Sequence, residues 1–119
     1  MKKILIVEDT ELNIDLLTQL LEDDYELVVA RDGQQGVDMA IEHVPDLILM
    51  DINLPVIDGY EATRRIRAND KLKSTPIIGL SAHAMASHEQ MALDAGCNAY
   101  LTKPVDDGEL FEKLKEFLG

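Results

Sequence analysis

Leu47, Ile48, Leu49 and Met50 limit what this chain can fold into more than any other stretch. They form a short, unbroken apolar run with no polar alternation, the pattern of a strand buried on both faces of a parallel sheet. Asp51 follows at once, so a carboxylate is carried to the C-terminal edge of that sheet. Pro55 and the Asp58-Gly59 pair then turn the chain into a loop. In open α/β sheets ligands and chemistry gather at that edge. One Asp alone at a strand end is more readily a turn cap than a reactive group, so the other strand ends have to decide its role.

The alternation extends in both directions. Lys3 to Val7 reads as a first strand ending in Glu8-Asp9, and Glu11 to Leu21 as a helix with Leu12, Leu16, Leu17, Leu20 and Leu21 at helical spacing. Glu26 to Ala30 is a second strand, and Gly33 to His43 a second helix opened by Asp32 with Gln35 three residues on. Asp46 to Met50 is the third strand. The third helix starts after Asp58, with Glu61 at the reciprocal capping position, and fades near Asn69. A polar loop over Asp70 to Thr75 leads to the fourth strand, Pro76 to Leu80. Ser87-His88-Glu89-Gln90 is a capping-box pattern opening a fourth helix that stops at Gly96. Asn98 to Thr102 is the fifth strand. Asp106-Asp107-Gly108-Glu109 caps a last helix whose apolar positions are Leu110, Phe111, Leu114, Phe117 and Leu118. Five strand–helix units predict an α/β fold with a parallel sheet, right-handed crossovers and helices on both faces.

At 119 residues, one domain over 1–119 with a modest core is expected. Aromatics make up 4% of the chain, so Ile, Leu, Val and Ala must build that core. A formal charge of −12 argues against nucleic acid or anionic membrane as the main partner, because phosphates reward Lys and Arg. The single Cys97 allows no intramolecular disulfide, suits a reducing compartment and reads as a buried small hydrophobe. The start is apolar only from Ile4 to Val7, short of an export segment, and no run approaches transmembrane length. A soluble, cytoplasmic protein is the expectation.

Each buried strand delivers something to its C-terminal edge. The first gives Glu8 and Asp9, the third Asp51, the fourth Ser81, and the fifth Lys103 followed by Pro104. Clustered carboxylates repel one another by several kcal/mol at low dielectric unless a cation sits among them. Hard oxygen ligands suit Mg²⁺ or Mn²⁺, which keep waters and bind phosphate oxygens. A metal held by Asp9 and Asp51 would neutralise an incoming phosphoryl group, with Lys103 and Ser81 taking its other oxygens. Asp51 is then a nucleophile that forms an aspartyl phosphate. Taken singly, Lys103 is as readily a structural counter-ion and Ser81 a loop residue.

With these residues in view, the chain resembles the receiver domains of two-component response regulators, the CheY-like superfamily, over essentially its whole length. The resemblance is carried by Ile-Leu-Ile-Val-Glu-Asp at 4–9, Asp-Leu-Ile-Leu-Met-Asp at 46–51, Pro55 and Asp58-Gly59. Leu80-Ser81-Ala82 and Tyr100-Leu101-Thr102-Lys103-Pro104 complete it. Glu11-Leu12-Asn13, Ala84-Met85 and Gly96-Cys97 look similar to DivK-like single-domain regulators and to receiver modules of hybrid kinases. The resemblance implies a doubly wound, flavodoxin-like sheet in strand order 2-1-3-4-5 with five helices. It implies Asp51 as phosphoacceptor, and Mg²⁺ held by Asp9, Asp51 and the Asn53 carbonyl, with Glu8 acting through water. Lys103 would contact the phosphoryl group, with the Lys103–Pro104 bond cis. Ser81 and Tyr100 would be the switch pair, remodelling the face of the fourth helix, fifth strand and fifth helix.

Individual positions add character. Ser81 replaces the frequent Thr, Thr10 stands where DivK-like chains often have Asn, and Ala82 leaves the acceptor open. Asn53 and His83 occupy positions that tune phosphoryl lifetime in the family. His43 ends a helix, where a cation suits the dipole, and His88 is expected in a first helical turn, facing solvent. No His has metal-ligand spacing with another His or with Cys97.

Three other functions compete. A haloacid-dehalogenase-type enzyme wants a second acid two residues past the nucleophile, where this chain has Asn53. A flavodoxin-type FMN carrier wants a Ser/Thr/Gly-rich loop after the first strand, where Glu8-Asp9 would repel the phosphate. A phosphate-independent interaction module is the reading left if the site is silent. The expected protein is a stand-alone regulator or phosphorelay shuttle, with an excised module of a larger kinase as the alternative, rather than an enzyme with turnover. Its donor would be a sensor histidine kinase or histidine phosphotransfer protein, and its output would pass through protein contacts.

Overall fold

A computed structural model describes all residues from Met1 to Gly119. Five strands, β1 (Lys3–Val7), β2 (Glu26–Ala30), β3 (Leu47–Asp51), β4 (Ile77–Ser81) and β5 (Ala99–Thr102), alternate with five helices. The helices are α1 (Glu11–Leu21), α2 (Gly33–His43), α3 (Gly59–Arg67), α4 (Ala86–Ala95) and α5 (Asp107–Leu118). All strand pairs are parallel and the sheet order is β2-β1-β3-β4-β5, as the sequence resemblance implied. No helix is long and apolar enough to cross a membrane.

The unbroken apolar strands are explained by the two layers they separate. Successive side chains of a strand point to opposite faces. Ile48 and Met50 therefore join Val37, Ala40, Ala62, Ile66 and Ala92 of α2, α3 and α4 in one core. Leu47 and Leu49 join Leu17, Leu21, Leu110 and Leu114 of α1 and α5 in the other. Every residue of β3 is buried, Asp51 included.

Strands β3 and β4 run one residue further than their apolar stretches, because Asp51 still pairs with Leu80 and Ser81 with Thr102. The ladder thus holds both polar residues rigidly at the edge. Two helices correct the sequence reading. In α1 the buried stripe is Ile14, Leu17 and Leu21, whereas Leu12 and Leu16 are 66% and 51% exposed. In α4 the N-cap is Met85, with no side-chain cap bond; Ser87 lies inside the helix. The other three caps form, with the side chains of Asp32, Asp58 and Asp106 accepting from the backbone N–H groups of Gln35, Glu61 and Glu109. The polar loop before β4 holds a 3-10 turn over Asp70–Leu72.

Candidate functional site

The site is built where β1, β3, β4 and β5 end. Asp58-Gly59 does more than break the chain. A Cβ on Gly59 would lie 2.3 Å from the Asp51 carbonyl oxygen, so only glycine lets α3 begin against the end of β3. The Gly59 N–H donates to the Ile52 carbonyl at 2.8 Å, folding the loop back over the strand end. On the opposite side Gly33 meets the same loop, its N–H donating to the Pro55 carbonyl at 3.3 Å.

Four groups converge there. Glu8 is fully buried; its Oε1 accepts from the Thr10 N–H at 3.2 Å and its Oε2 from Lys103 Nζ at 2.7 Å. The same ammonium stands 3.3 Å from Asp51 Oδ2, and Asp51 Oδ1 accepts from the Asn53 N–H at 3.1 Å. Asp9 is exposed at the rim, yet Glu8, Asp9 and Asp51 each bring one carboxylate oxygen within 4.8 Å of the others. Three carboxylates against one ammonium leave two uncompensated negative charges, which suits a divalent cation of the hard, oxygen-loving kind. The residues present therefore fit Mg²⁺.

The titration directions describe the same imbalance. Burial, then the neighbouring Glu8 charge, push the Asp51 carboxyl up to about 6, against the pull of Lys103. Burial also raises Glu8, but the Lys103 hydrogen bond and charge outweigh it and leave Glu8 below its ordinary value. Burial works against the Lys103 ammonium, which Glu8 and Asp51 nevertheless hold above its usual value. Glu8 and Lys103 thus form the settled ion pair, and Asp51 is the carboxylate left short of positive charge.

The flanking positions fall around this centre. Ser81 is fully buried and its Oγ accepts from the His83 N–H at 3.1 Å, while the Lys103 N–H donates to the Ser81 carbonyl at 2.7 Å. The Lys103–Pro104 peptide bond is cis. Asn53, Ala82 and His83 are exposed around the mouth. Tyr100 is half-buried, packed against the β3–α3 side of the core, and its hydroxyl donates to the His83 carbonyl. His88 does not simply face solvent: its ring stacks on His83, with centroids 4.6 Å apart and planes 17° from parallel.

One feature was hidden in the sequence. Leu16, exposed on α1, borders a groove of about 540 Å³ lined also by Leu17, Leu20, Pro104 and Val105, with Lys103 at its wall. The signal was present in the α1 pattern, which carries more leucines than one core-facing stripe can use.

Known proteins share this fold and sequence pattern. Residues 4–115 match the family model described as the response regulator receiver domain. The polar-differentiation response regulator DivK of Brucella anthropi is 42% identical over 119 residues, covering 99% of this chain and 97% of that protein. The receiver domain of the sensor histidine kinase PA1611 from Pseudomonas aeruginosa, solved with magnesium in its active-site cleft, superposes with a TM-score of 0.91. It is 40% identical, with 98% of this chain and 96% of that one covered. The Saccharomyces cerevisiae Ssk1 receiver, solved with the histidine phosphotransfer protein Ypd1, superposes with a TM-score of 0.90 at 34% identity, covering 98% and 88% of the two chains. Parallel sheet, acidic strand ends, bridging lysine and full-length similarity agree: the chain belongs to the response regulator receiver domains of two-component signal transduction.

Proposed function

We propose that residues 1–119 act as one receiver unit that takes a phosphoryl group onto Asp51 from a phosphohistidine of a sensor kinase or phosphotransfer protein. The observation that carries this is the position of Lys103 Nζ, 2.7 Å from Glu8 Oε2 and 3.3 Å from Asp51 Oδ2, beside a carboxylate trio that lacks positive charge. Glu8, Asp9, Asp51 and the Asn53 carbonyl would hold Mg²⁺, and Mn²⁺ fits the same oxygen donors. The metal, when bound, supplies neutralisation of the phosphoryl charge.

The chain's own groups do the rest. An Asp51 oxygen forms a bond to phosphorus as the P–N bond to the donor imidazole breaks, its electron pair remaining on that nitrogen. The Lys103 ammonium, already aimed at Asp51, takes one phosphoryl oxygen. The Ser81 hydroxyl leaves the His83 N–H for another, and Tyr100 completes the switch, shifting populations at the face of α4, β5 and α5. That face exposes Met85, Met91, Leu93 and Phe111 for a downstream protein. Asn53, Ala82 and His83, around the mouth, govern water access and so the lifetime of the acyl phosphate. Catalysis is confined to the protein's own phosphorylation and dephosphorylation.

Incubation with acetyl phosphate and Mg²⁺, followed by intact mass measurement, is expected to show a gain of one phosphoryl group that chelation of the metal prevents. A mass unchanged under both conditions, with beryllofluoride also without effect on the spectrum, would replace this reading by a phosphate-independent module.

The α1 groove suits the protein donor. Its apolar floor runs to Lys103, so a partner helix seated there presents its histidine near Asp51. Leu16→Asp is expected to slow transfer from a histidine phosphotransfer protein by about tenfold or more, since a charge in an apolar seat removes a hot-spot contact. Phosphorylation by acetyl phosphate should be unchanged. Equal slowing with both donors would place Leu16 in the fold rather than in docking.

A further inference from the structure

The β4–α4 connection is tied together through one residue, His83. Its N–H is held by the Ser81 hydroxyl at 3.1 Å, its carbonyl by the Tyr100 hydroxyl, and its ring by the stack on His88. His83 therefore touches both members of the proposed switch pair and the first turn of α4. The helix itself is weakly anchored at that end. It has no side-chain N-cap and buries only Ala92 and Ala95, both in its C-terminal half. Apart from the ring stack, the side-chain bond made to its first turn is a long one of 3.4 Å, from the Tyr60 hydroxyl to the His88 carbonyl.

The Tyr100 ring packs against the core beside Gly79, its cross-strand neighbour, at ordinary contact distance: a Cβ built on Gly79 would lie 3.6 Å from Tyr100 Cδ1. The ring is thus already turned inward against the core, although Ser81 is still engaged with the His83 backbone. The aromatic half of the switch is set while the hydroxyl half is not. What fixes the aromatic half is the seat of its hydroxyl, the His83 carbonyl. That carbonyl lies in an exposed loop with neighbouring side chains at Ala82, Ala84 and Met85 all exposed, so burial does not place it; what holds His83 is the Ser81 bond to its N–H and the stack of its ring on His88.

We propose that His88 is a positioning residue: by stacking on His83 it fixes the carbonyl on which Tyr100 docks, and so holds the switch aromatic inward before phosphorylation. The assignment rests on the reading of Ser81 and Tyr100 as the switch pair. A state that is already populated need not be created by the ligand, so the inward bias raises apparent affinity for the phosphoryl group. An edge-on or stacked ring pair is worth a few-fold in such an equilibrium.

The test uses the full chain labelled with 3-fluorotyrosine, whose three tyrosines give resolvable ¹⁹F signals, Tyr100 being assigned by Tyr100→Phe. In His88→Ala the Tyr100 resonance is expected to move toward its value in denaturant, and beryllofluoride with Mg²⁺ to bind about fivefold more weakly. His88→Phe keeps a stacking ring and should restore both. His83→Ala removes the other ring but keeps the carbonyl, and should match His88→Ala with no further change in the double variant. A Tyr100 signal unmoved in His88→Ala, or moved equally in His88→Phe, overturns the proposal. The two readings fail separately: loss of beryllofluoride binding by the parent chain would sink the phosphoacceptor reading, while the ¹⁹F comparison still decides the role of His88.

Discussion

Asp51→Asn is expected to gain no hydroxylamine-labile phosphoryl group from acetyl phosphate and Mg²⁺, and to unfold at a higher temperature than the parent chain in metal-free buffer at pH 7. The first result follows from the chemistry, since an amide oxygen is a poor nucleophile toward phosphorus and Asp51 is the carboxylate beside Lys103 that is left short of positive charge. The second follows from the same imbalance. Burial and the Glu8 charge raise the folded-state Asp51 to about 6, well above an unfolded carboxyl. Ionising it at neutral pH therefore costs stability, a cost that grows as pH rises from the unfolded value through about 6. Removing the charge is expected to return about 1–2 kcal/mol. The sign is testable by titration: the gap in melting temperature between the two proteins should close as pH is lowered through 6. Saturating Mg²⁺ should also close it, by stabilising the parent selectively. A phosphoryl adduct of equal yield on Asp51→Asn would move the acceptor to another carboxylate.

The strands and their order of delivery were legible because burial on both faces demands continuous apolar residues, and few other structures produce such runs. β3, β4 and β5 begin one residue later than expected, at Leu47, Ile77 and Ala99, and where β3 and β4 end later a polar residue lies within the ladder. Asp51 and Ser81 look like loop residues by composition, yet both are paired in register. Helix faces were less legible. The leucines of α1 satisfy helical spacing on two adjacent stripes, and periodicity alone does not say which stripe meets the sheet. Ile14, Leu17 and Leu21 win; Leu12 is left exposed and Leu16 borders the groove. The α4 start misled for a related reason. Ser87 with Gln90 has capping spacing, but the chain enters the helix at Met85, so the serine falls inside the first turn.

At the site, residues that end a buried strand could be read directly, because topology brings strand ends together whatever the loops do. Glu8, Asp9, Asp51, Ser81 and Lys103 are of this kind. Contacts made between loops and helices left no such trace. His83 and His88 lie five apart, with no spacing rule that pairs them, and their stacking depends on the path of the β4–α4 loop. Arg67 is a second case: in sequence it is one more cation in the last turn of α3, as a helix dipole would favour.

Its environment predicts a large loss of stability from a single polar substitution. Arg67 Nε donates to the Gly96 carbonyl at 2.9 Å, one terminal nitrogen to the Leu72 and Thr75 carbonyls at 2.8 and 2.7 Å, and the other to Asn98 Oδ1 at 2.7 Å. No carboxylate takes part, and burial holds the guanidinium below its ordinary pKa. One side chain thus ties the end of α3, the 3-10 turn, the C-terminus of α4 and the entry to β5. Asn98 Oδ1 passes the link to the sheet by accepting from the Ile77 N–H at 2.8 Å. The stem packs against Gly96, where a Cβ would meet Arg67 Cγ at 2.7 Å. Arg67→Ala leaves the Gly96 and Thr75 carbonyls without a donor in a partly buried setting, each at about 1 kcal/mol or more, while Leu72 keeps the Thr75 N–H and Asn98 the Ile77 N–H, so a loss of about 2–3 kcal/mol is expected in urea denaturation. Arg67→Lys should recover less than half, because one ammonium cannot serve carbonyls spread around a planar fork. A loss below about 1 kcal/mol for Arg67→Ala would mean that water serves these carbonyls equally well. In that event α4 would be tethered at its C-terminal end by Ala92, Ala95 and the Gly96 turn alone, and its freedom to move in the proposed switch would be correspondingly greater.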